Sequence, residues 1–549
     1  MSEPSWDATR VARAVISALV AGGIREVVIS PGSRNAPLSF AAYDAAQAGL
    51  LRLHTRIDER SAGFLALGLT KAGSRAAVMC TSGTAAANLH PAVLEAAHAG
   101  VDLVVVTADR PASMRGTGAN QTTDQVGIFE PAVSSVDLAS DQIPDLPPGV
   151  VHWNVQFREP LTPADRWAPG SEGGLADAPN VRSADPDAPN VRSAEQRRAH
   201  WEVEDRTPGS GLLVRRLPSG PRTVVIAGDD AGMRARQIAQ AGGWPLLAEP
   251  TSGSRAGANA IRTYRLLLDG DLCSQVERVI VAGHPTLSRP VAHLLARAEV
   301  YELPARGIWA TRPFPVTGVL DPDVPVERDA PGWLEAWQVA DRDLGRKVDA
   351  RLAEVGFTPH HVAATVGNAL GPGEQLIVGA SNPIRDLDLM MRPYPVGEHR
   401  KVLANRGLAG IDGVVSTAIG VALTRDTQAY ALVGDVTFLH DSNGLILGPE
   451  EPRPDLTIVV VNDDGGSIFA TLEQGAQAYA DRFERLFATP HGVNIEALCA
   501  ATRTPHLRVT SRVELDHALG HPNGGIEVVE AVVGRADRRE IEQALRELV

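Results

Sequence analysis

The sequence predicts an α/β protein whose strands form parallel sheets. Short β-branched runs, such as REVVIS at residues 25–30, alternate with longer segments of helical periodicity. Most of these runs are apolar along nearly their whole length, which is typical of strands in a parallel sheet covered by helices on both faces. The chain has 549 residues, and at about 150 residues per domain this length indicates three or four globular units. A single-core protein is therefore excluded.

The first predicted domain spans residues 1–161 and consists of repeated strand and helix units. Its predicted strands are Arg25–Ser30, Ala76–Cys80 and Asp102–Thr107, and its predicted helices are Thr9–Ala21, Glu59–Lys71 and Gly83–Ala97. Ligands of open parallel sheets bind at the carboxyl ends of the strands. The residues that follow these strands are therefore the first candidates for a functional site.

A segment without periodicity, residues 162–220, follows this domain. It is rich in Pro, Gly, Ser, Asp and Arg, and it contains the octapeptide DAPNVRSA twice, at 177–184 and 187–194. Two short polar copies are too few and too hydrophilic to form a stacked repeat. We interpret the segment as a flexible linker insert.

Two further α/β domains are predicted after the linker, a central one at residues 221–343 and a C-terminal one at residues 355–549. The predicted strands of the central domain are Thr223–Ala227, Arg278–Ala282 and Glu299–Leu303. Those of the C-terminal domain are Gln375–Val378, Ala429–Val433, Leu456–Val461 and Gly525–Val533. These are again short apolar runs between helical segments, so we expect parallel sheets in both domains.

Composition excludes several classes of protein. Lys and Arg number 52 and Asp and Glu 66, which gives a formal net charge of −14. No long basic run offsets this charge, so we expect no nucleic-acid partner, because phosphate neutralisation needs clustered cations. No stretch approaches the roughly 18 apolar residues of a membrane span, and the first residues lack the basic and apolar regions of a signal peptide. We therefore expect a cytoplasmic protein without a membrane partner.

The motifs of several common enzyme classes are absent. The sequence has no GxxxxGK[ST] phosphate loop, no GxGxxG between a strand and a helix, no HExxH and no GxSxG. The three cysteines, Cys80, Cys273 and Cys499, lie far apart and form no CxxC pair, which indicates buried structural thiols. None of the 15 histidines stands in a motif with a partner, and we interpret them as structural.

Polar residues follow two apolar strands of the C-terminal domain. Strand 429–433 runs into Gly434-Asp435-Val436, and strand 456–461 ends in Asn462-Asp463-Asp464-Gly465-Gly466. Parallel strands deliver both motifs to the same edge of one sheet. Such oxygen ligands suit Mg²⁺, and glycine lets the backbone approach a diphosphate closely. The alternative is that these are turn residues only, because Asp, Asn and Gly favour turns.

This pair of motifs resembles the signature of thiamine diphosphate enzymes, GDG followed by NN, with Val436 in place of the second Gly. The resemblance implies that Gly434, Asp435 and Val436 contact the cofactor and that Asp435 binds Mg²⁺ or Mn²⁺. The second side-chain ligand is left open, because the usual sequence spacings of the signature select different residues. Counting residues forward from Asp435 selects Asn462, whereas counting back from Gly465-Gly466 selects Asp463. We favour Asp463, with the Gly465 carbonyl as third ligand, because the turn beside a metal tolerates length changes poorly.

The same resemblance implies a carboxylic acid at N1′ of the cofactor's pyrimidine. In these enzymes a Glu follows the second strand of the N-terminal domain, and here Arg56-Ile57-Asp58-Glu59-Arg60 opens the predicted helix. An acidic residue at a helix start also stabilises the helix dipole, so Glu59 has a purely structural alternative. With the diphosphate motifs in place, Glu59 is the candidate general acid/base.

Further motifs narrow the family. They are PGSRN at 31–35, ADRP at 108–111, GANQ at 118–121, NRGxxGIDG at 405–413 and GGxIF at 465–469. In this order they resemble the 2-succinyl-5-enolpyruvyl-6-hydroxy-3-cyclohexene-1-carboxylate (SEPHCHC) synthases of menaquinone biosynthesis. The resemblance covers both outer domains, whereas the central domain and the linker contribute little. It implies three parallel-sheet domains, which are pyrimidine-binding, central and diphosphate-binding.

The resemblance also implies which residues contact the substrates and the cofactor. The implied substrate contacts are Ser33, Arg34, Arg110, Asn120, Gln121, Arg289, Ser381, Arg385, Arg406 and Phe469. The side chains of Ile411 and Ile468 are implied to contact the cofactor. The substrates of this family, 2-oxoglutarate and isochorismate, are dianions, and arginine binds carboxylates in a bidentate manner. The alternative for each arginine is compositional, because lysine occurs only at positions 71, 347 and 401.

The implied activity is decarboxylation of 2-oxoglutarate and conjugate addition of the remaining succinyl unit to isochorismate. In this family the cofactor lies between the N-terminal domain of one chain and the C-terminal domain of another, so a homodimer is the smallest active unit and a homotetramer is expected. One alternative is another 2-oxoacid decarboxylase or an acetolactate synthase-like carboligase, which leaves the pocket arginines without a role. The others are a non-catalytic paralogue, which the presence of Glu59 and Asp435 disfavours, and a dinucleotide-binding oxidoreductase, which the missing GxGxxG disfavours.

Overall fold

Three six-stranded parallel sheets form the framework of the protein. The structure is a computed structural model, and it describes residues 7–169, 212–307 and 312–549. Helices alternate with the strands along the chain, and the strands are buried as continuous apolar runs. The predicted α/β class with parallel sheets is therefore confirmed. The two DAPNVRSA copies lie outside the described residues.

The first sheet has the strand order β2-β1-β3-β4-β6-β5. Its strands are β1 (Glu26–Ile29), β2 (Arg52–Thr55), β3 (Ala76–Cys80), β4 (Val104–Asp109), β5 (Ser135–Leu138) and β6 (Val151–Gln156). Its helices are α1 (Ala8–Ala21), α2 (Ala36–Gln47), α3 (Glu59–Ala72), α4 (Thr84–Asn88) and α5 (His90–Ala99). The central strands β1, β3 and β4 are buried at every position, as expected of a doubly covered sheet.

The second sheet has the strand order β7-β12-β11-β10-β8-β9. Its strands are β7 (Leu212–Val214), β8 (Thr223–Ala227), β9 (Leu246–Ala248), β10 (Arg278–Ala282), β11 (Glu299–Glu302) and β12 (Gly318–Leu320). Its helices are α6 (Gly232–Gly242), α7 (Tyr264–Leu267), α8 (Asp271–Ser274) and α9 (Arg289–Arg297), and α10 (Gly332–Ala353) follows it.

The third sheet has the strand order β14-β13-β15-β16-β18-β17. Its strands are β13 (Gln375–Val378), β14 (Lys401–Leu403), β15 (Ala429–Gly434), β16 (Leu456–Asn462), β17 (His506–Val509) and β18 (Ile526–Val532). The helices of this part of the chain are α11 (Pro359–Ala369), α12 (Asn382–Met390), α13 (Val414–Ala422), α14 (Asp435–His440), α15 (Ala480–Phe483), α16 (Ile495–Ala501), α17 (Arg512–Gly520) and α18 (Arg538–Arg546).

The described chain divides into two compact units. The first contains the first sheet together with Asn405–Asp426 and His440–Pro454, and the second contains the second and third sheets. Within the second unit a single apolar core joins residues of both sheets with α10, whose Trp337, Leu344 and Val348 are buried. Helix α10 spans Gly332–Ala353 and so continues without a break through residue 343, which was the predicted end of the central domain.

Helix α3 shows how local sequence sets an element that carries a site residue. The carboxylate of Asp58 accepts a hydrogen bond of 2.9 Å from the Arg60 backbone N–H, which caps the helix start. At the other end Gly73 has a φ of 118°, and its N–H closes the last turn onto the Leu69 carbonyl. Both ends of α3 are thus fixed by the residue types that stand there.

Two expectations are corrected by the structure. The predicted helix 83–97 is two helices, α4 and α5, because Pro91 in the first turn of α5 favours a new helix start over continuation. The predicted linker is ordered at both ends, since Trp167 packs against the first core and residues 212–214 form strand β7 of the second sheet. Leu217, also inside the predicted linker, is fully buried.

None of the helices in the described part of the chain is long and apolar enough to cross a membrane.

Candidate active site

A polar cluster stands at the carboxyl ends of β1, β3 and β4 in the first unit. Arg34 follows β1, Ser82 follows β3 and Arg110 follows β4. Burial lowers the pKa of Arg34 from its usual value, and the nearby positive charge of Arg110 lowers it further. Arg34 and Arg110 thus place two guanidinium groups of like charge near each other, and Arg34 also lies 3.8 Å from the exposed Glu159 carboxylate. A pair of like positive charges favours binding of an anion.

Hydrogen bonds fix Arg110 within this cluster. Its Nη1 donates to the Ser82 hydroxyl and to the Gln121 carbonyl, each at 2.8 Å. The Gln121 side chain in turn donates from Nε2 to the Ser82 carbonyl at 2.9 Å. Ser33 and Asn120 are exposed beside their neighbours Arg34 and Gln121. The predicted substrate residues of the N-terminal domain are therefore brought to one edge of one sheet.

Glu59 is the first residue of α3 and lies partly buried in the same unit. Its Oε2 accepts a long hydrogen bond of 3.4 Å from Nδ2 of Asn88 in α4. Burial raises the pKa of the Cys80 thiol at the end of β3, and the negative charge of Glu59 raises it further, so Glu59 faces the end of that strand.

The loop before α13 carries Arg406 and Ile411. Glu95 of α5 accepts hydrogen bonds from the backbone N–H groups of Gly407 at 2.8 Å and of Leu408 at 2.7 Å. Arg406, which precedes them, is 5% exposed. Gly413 has a φ of 59°, and a Cβ there would lie 1.9 Å from the Phe64 ring of α3, so no other residue fits at this close approach. Sequence reasoning did not identify Glu95, because a Glu within a helix gives no signal of a distant backbone partner.

Asp435 stands at the carboxyl end of β15 in the second unit, next to the turn that follows β16. Strands β15 and β16 pair in register, with Gly434 opposite Val461. The Asp435 carboxylate accepts from the N–H of Val436 at 2.6 Å and from the N–H of Gly465 at 2.9 Å. His491 Nε2 lies 3.2 Å from the same carboxylate. The interpretation of all histidines as structural is thus incomplete, because His491 is held against a predicted metal ligand.

Asp463 and Asn462 differ in what they face. Asn462 donates from Nδ2 to Glu530 of β18 at 2.6 Å, and its Oδ1 accepts from the Asp464 N–H. Asp463 is 9% exposed, and burial and then the negative charge of Asp435 raise its pKa to about 7. The side chain of Asn462 is therefore engaged in the sheet, whereas Asp463 forms a carboxylate pair with Asp435.

This carboxylate pair fits a divalent cation. Two neighbouring buried carboxylates repel each other, and a hard cation with oxygen ligands removes that repulsion. The adjoining turn depends on glycine, since Gly465 has a φ of 140° and a Cβ there would lie 2.1 Å from the Ala488 carbonyl oxygen. The donor set and the tight turn are what a metal ligated by Asp435, Asp463 and the Gly465 carbonyl requires.

The remaining predicted residues of the second unit lie at the start of α12 and in the segment after β16. Arg385 donates from Nη1 to the Ser381 carbonyl at 2.7 Å, while Ser381 itself has a φ of 78°. Asn382 donates to the Ser467 hydroxyl at 2.9 Å, which ties α12 to the segment that carries Ile468 and Phe469. Arg289 at the start of α9 is exposed and forms an ion pair of 2.9 Å with Glu473 of that segment.

The predicted site residues thus fall into two groups, one in each unit. The first unit holds Glu59, Ser33, Arg34, Arg110, Asn120, Gln121, Arg406 and Ile411, and the second holds Gly434, Asp435, Val436, Asn462, Asp463, Gly465, Ile468, Phe469, Ser381, Arg385 and Arg289. Within each group, the hydrogen bonds and electrostatic effects described above connect several of the members.

Two family models match the chain. Residues 9–128 match the model described as thiamine pyrophosphate enzyme, N-terminal TPP binding domain. Residues 388–522 match the model described as thiamine pyrophosphate enzyme, C-terminal TPP binding domain. Thiamine pyrophosphate and TPP are other names for thiamine diphosphate. The two matched ranges contain Glu59 and Asp435, respectively.

Full-length relatives carry one common name. A protein of Nocardioides sp. is 61% identical over 98% of this chain and 98% of its own length. Proteins of Kineococcus radiotolerans, 45% identical over 96% of both chains, and of Arthrobacter sp., 42% identical over 99% of this chain and 92% of its own, are also similar. Each of the three is called 2-succinyl-5-enolpyruvyl-6-hydroxy-3-cyclohexene-1-carboxylate synthase.

Proposed function

The chain belongs to the family of thiamine diphosphate-dependent SEPHCHC synthases, and from this premise we propose how its residues carry out the reaction. The enzyme decarboxylates 2-oxoglutarate and adds the succinyl unit to isochorismate, a step of menaquinone biosynthesis. When bound, thiamine diphosphate supplies the electron sink that the decarboxylation needs. The protein supplies binding, orientation and proton transfer.

The arginine pair in the first unit is the observation that best supports this specificity. Arg34 and Arg110 are close enough for the charge of one to lower the pKa of the other, and Ser82 and Gln121 fix Arg110 in place. Such a pair binds a dianion well, because arginine offers charge-assisted bidentate hydrogen bonds to carboxylates. We assign Arg34 and Arg110 to isochorismate, with Ser33, Asn120 and Gln121 completing its site.

The carboxylate pair has a different role. Asp435, Asp463 and the Gly465 carbonyl would hold Mg²⁺ or Mn²⁺, which would supply the positive charge that binds the cofactor's diphosphate, and Gly434, Asp435 and Val436 would contact the cofactor. Asn462 is engaged with Glu530 and keeps β16 in the sheet. Ile411 and Ile468 contact the cofactor.

Glu59 moves the proton. Its carboxylic acid protonates N1′ of the cofactor's pyrimidine, as a general acid held at a helix start. Further substrate contacts are assigned to Arg406 in the first unit and to Arg289, Ser381, Arg385 and the aromatic Phe469 in the second unit. The fixed Arg385 and the buried Arg406 suit the carboxylates of 2-oxoglutarate.

The active unit is a homodimer at minimum and a homotetramer in full, with Glu59 of one chain and Asp435 of another serving the same cofactor. The domains are a pyrimidine-binding domain at 1–161, a central domain that includes strand β7 (Leu212–Val214) and is followed by helix α10 (Gly332–Ala353), and a diphosphate-binding domain at 355–549. The linker is the segment between the first two domains. A cytoplasmic location without a nucleic-acid or membrane partner stays a prediction from composition.

The assignment of Glu59 is tested by Glu59→Gln. The variant should still bind thiamine diphosphate and Mg²⁺. It should exchange the C2 proton of the cofactor at least a hundredfold more slowly than the unchanged enzyme, because an amide cannot supply the proton at N1′. General acid/base catalysis contributes about 10²–10⁴-fold to a rate. Proton exchange is followed by NMR in D₂O, and Glu450→Gln, at an exposed position, is the matched control. Exchange by Glu59→Gln at the control rate would contradict the assignment.

A further inference from the structure

The stretch that carries Glu59, residues 55–61, is bound on both sides of Glu59 by a distant segment of the same unit. This segment, residues 441–451, is called the clamp segment here. It contacts the stretch through three side chains, Asp441, Asn443 and Glu451. The contacts lie on both sides of Glu59, and none of them involves Glu59 itself.

Glu451 makes the densest set of contacts. Its Oε1 accepts hydrogen bonds from the Thr55 N–H at 2.8 Å and from the Thr55 hydroxyl at 2.7 Å. Its Oε2 accepts from Nη1 of Arg56 at 2.8 Å. The side chains of Glu451 and Arg56 are only 6% and 2% exposed, so this ion pair is screened little by solvent. It fixes the end of β2 where the chain turns towards α3.

Asn443 and Asp441 hold the helix start. Asn443 donates from Nδ2 to Oδ2 of Asp58 at 2.9 Å, and Asp58 is the residue that caps α3. Oδ1 of Asp441 accepts a long hydrogen bond of 3.4 Å from the Ser61 hydroxyl, while Oδ2 accepts from the Ser416 N–H at 2.6 Å. Asp441 thereby connects the first turn of α3 with the first turn of α13.

Glu59 needs such support because its own contacts are weak. Within the described residues, its carboxylate has one hydrogen bond, the 3.4 Å contact from Asn88. The first turn of a helix also lacks internal partners for its N–H groups and frays easily. A general acid must stand within hydrogen-bond reach of its proton acceptor, and a misplacement of about 1 Å can cost about a hundredfold in rate.

We propose that Asp441, Asn443 and Glu451 are positioning residues that hold the Glu59 carboxyl group where it exchanges a proton with the cofactor. The inference rests on the proposed role of Glu59. It extends that role to a segment whose hydrogen bonds reach the residues on either side of Glu59.

Glu451→Gln tests the inference, with Glu450→Gln as the matched control. The amide keeps the size of the side chain but loses the charge, and it cannot accept from both Thr55 and Arg56 as the carboxylate does. We expect kcat and the rate of C2 proton exchange to fall about ten- to a hundredfold, while KM for both substrates stays within about twofold. Asn443→Ala, which removes a single exposed contact, should show a smaller effect of the same kind.

A double-mutant cycle separates positioning from general structural damage. If Glu451 acts through Glu59, Glu451→Gln should cause no further loss of rate in the Glu59→Gln background. In the cofactor-free protein, the Thr55 amide should exchange its hydrogen faster in Glu451→Gln than in Glu450→Gln, because its acceptor is weakened. Rate losses that multiply in the double variant would overturn the inference.

The outcomes also distinguish this inference from the function it rests on. Normal proton exchange in Glu59→Gln contradicts the proposed role of Glu59. Slow exchange in Glu59→Gln together with control-like rates in both Glu451→Gln and Asn443→Ala contradicts only the positioning by the clamp segment.

Discussion

Replacement of Asp463 by Asn should make the cofactor-free protein more stable while it removes metal binding. The reason is the carboxylate pair, in which Asp463 is buried beside Asp435 and carries a pKa raised from 3.8 to about 7. Without a cation, the ionised Asp463 carboxylate is destabilised by burial and by repulsion from Asp435. An amide of the same shape carries no charge and avoids both effects. The cofactor-free protein should therefore be more stable with Asn than with ionised Asp at position 463.

The magnitude follows from the shift in pKa. About three pKa units correspond to about 4 kcal/mol at 1.36 kcal/mol per unit. Because the pKa in the folded state lies above that in the unfolded state, the stability contributed by this group is fully present below about pH 4 and is lost as the pH rises through 7. Asp463→Asn should therefore exceed the unchanged protein in unfolding free energy by up to about 4 kcal/mol at pH 8, and the difference should shrink towards pH 4.

The assay is urea denaturation in EDTA and in Mg²⁺ with thiamine diphosphate. The unchanged protein should gain stability from the metal and cofactor, as any ligand of the folded state confers, and Asp463→Asn should gain almost none. Asp464→Asn is the matched control, because Asp464 is half exposed, with its pKa lowered chiefly by the hydrogen bond from the Gly492 N–H. The reasoning is refuted if Asp463→Asn is less stable than the control in EDTA at pH 8 and still responds to Mg²⁺.

Three further predictions concern other parts of the site. Gly465→Ala, whose Cβ meets the Ala488 carbonyl oxygen at 2.1 Å, should abolish Mg²⁺-dependent stabilisation in the same assay, whereas Gly520→Ala, with open space around it, should keep it. Arg34→Ala should lower kcat/KM for the complete reaction about ten- to a hundredfold, because it removes a charge-assisted hydrogen bond worth roughly 1.5–3 kcal/mol. It should leave the rate of CO₂ release from 2-oxoglutarate alone unchanged. Equal loss in both assays would contradict the assignment of Arg34 to isochorismate. Burial raises the pKa of Asp441 to about 6. The unfolding free energy of the unchanged protein, relative to that of Asp441→Asn, should therefore fall by about 3 kcal/mol between pH 4 and pH 7. A difference that does not depend on pH would contradict that pKa.

Much of the fold was predictable because each buried strand is a short apolar run. Strands β3, β8, β10 and β13 were predicted at their observed bounds. The strands that were missed, such as β2 and β5, lie at or near sheet edges and carry exposed charged residues, so they lack a continuous apolar signal. Strand β7 was missed for another reason, since three residues at the end of a polar segment give no recognisable period.

The candidate site was predictable as far as its motifs reach. Glycine-rich turns and charged residues after strands identified Glu59, Asp435 and Arg110. Other residues that hold the site in place are distant in sequence and stand in no motif, so only the folded structure reveals them. They are Glu95, which binds the Gly407 N–H, Glu451, which binds the Thr55 N–H, and His491, which lies against Asp435. Asp463 was favoured over Asn462 from the sequence, and the hydrogen bond from Asn462 to Glu530 of β18, which no motif indicates, supports that choice.

The central claim is that this enzyme joins 2-oxoglutarate to isochorismate with thiamine diphosphate. The most direct measurement incubates the purified protein with thiamine diphosphate, Mg²⁺ and 2-oxoglutarate, with and without isochorismate, and follows CO₂ and SEPHCHC. We predict that isochorismate increases CO₂ release and that one SEPHCHC forms for each CO₂. CO₂ release that is indifferent to isochorismate, without SEPHCHC, would contradict the claim and leave a general 2-oxoacid decarboxylase as the better description.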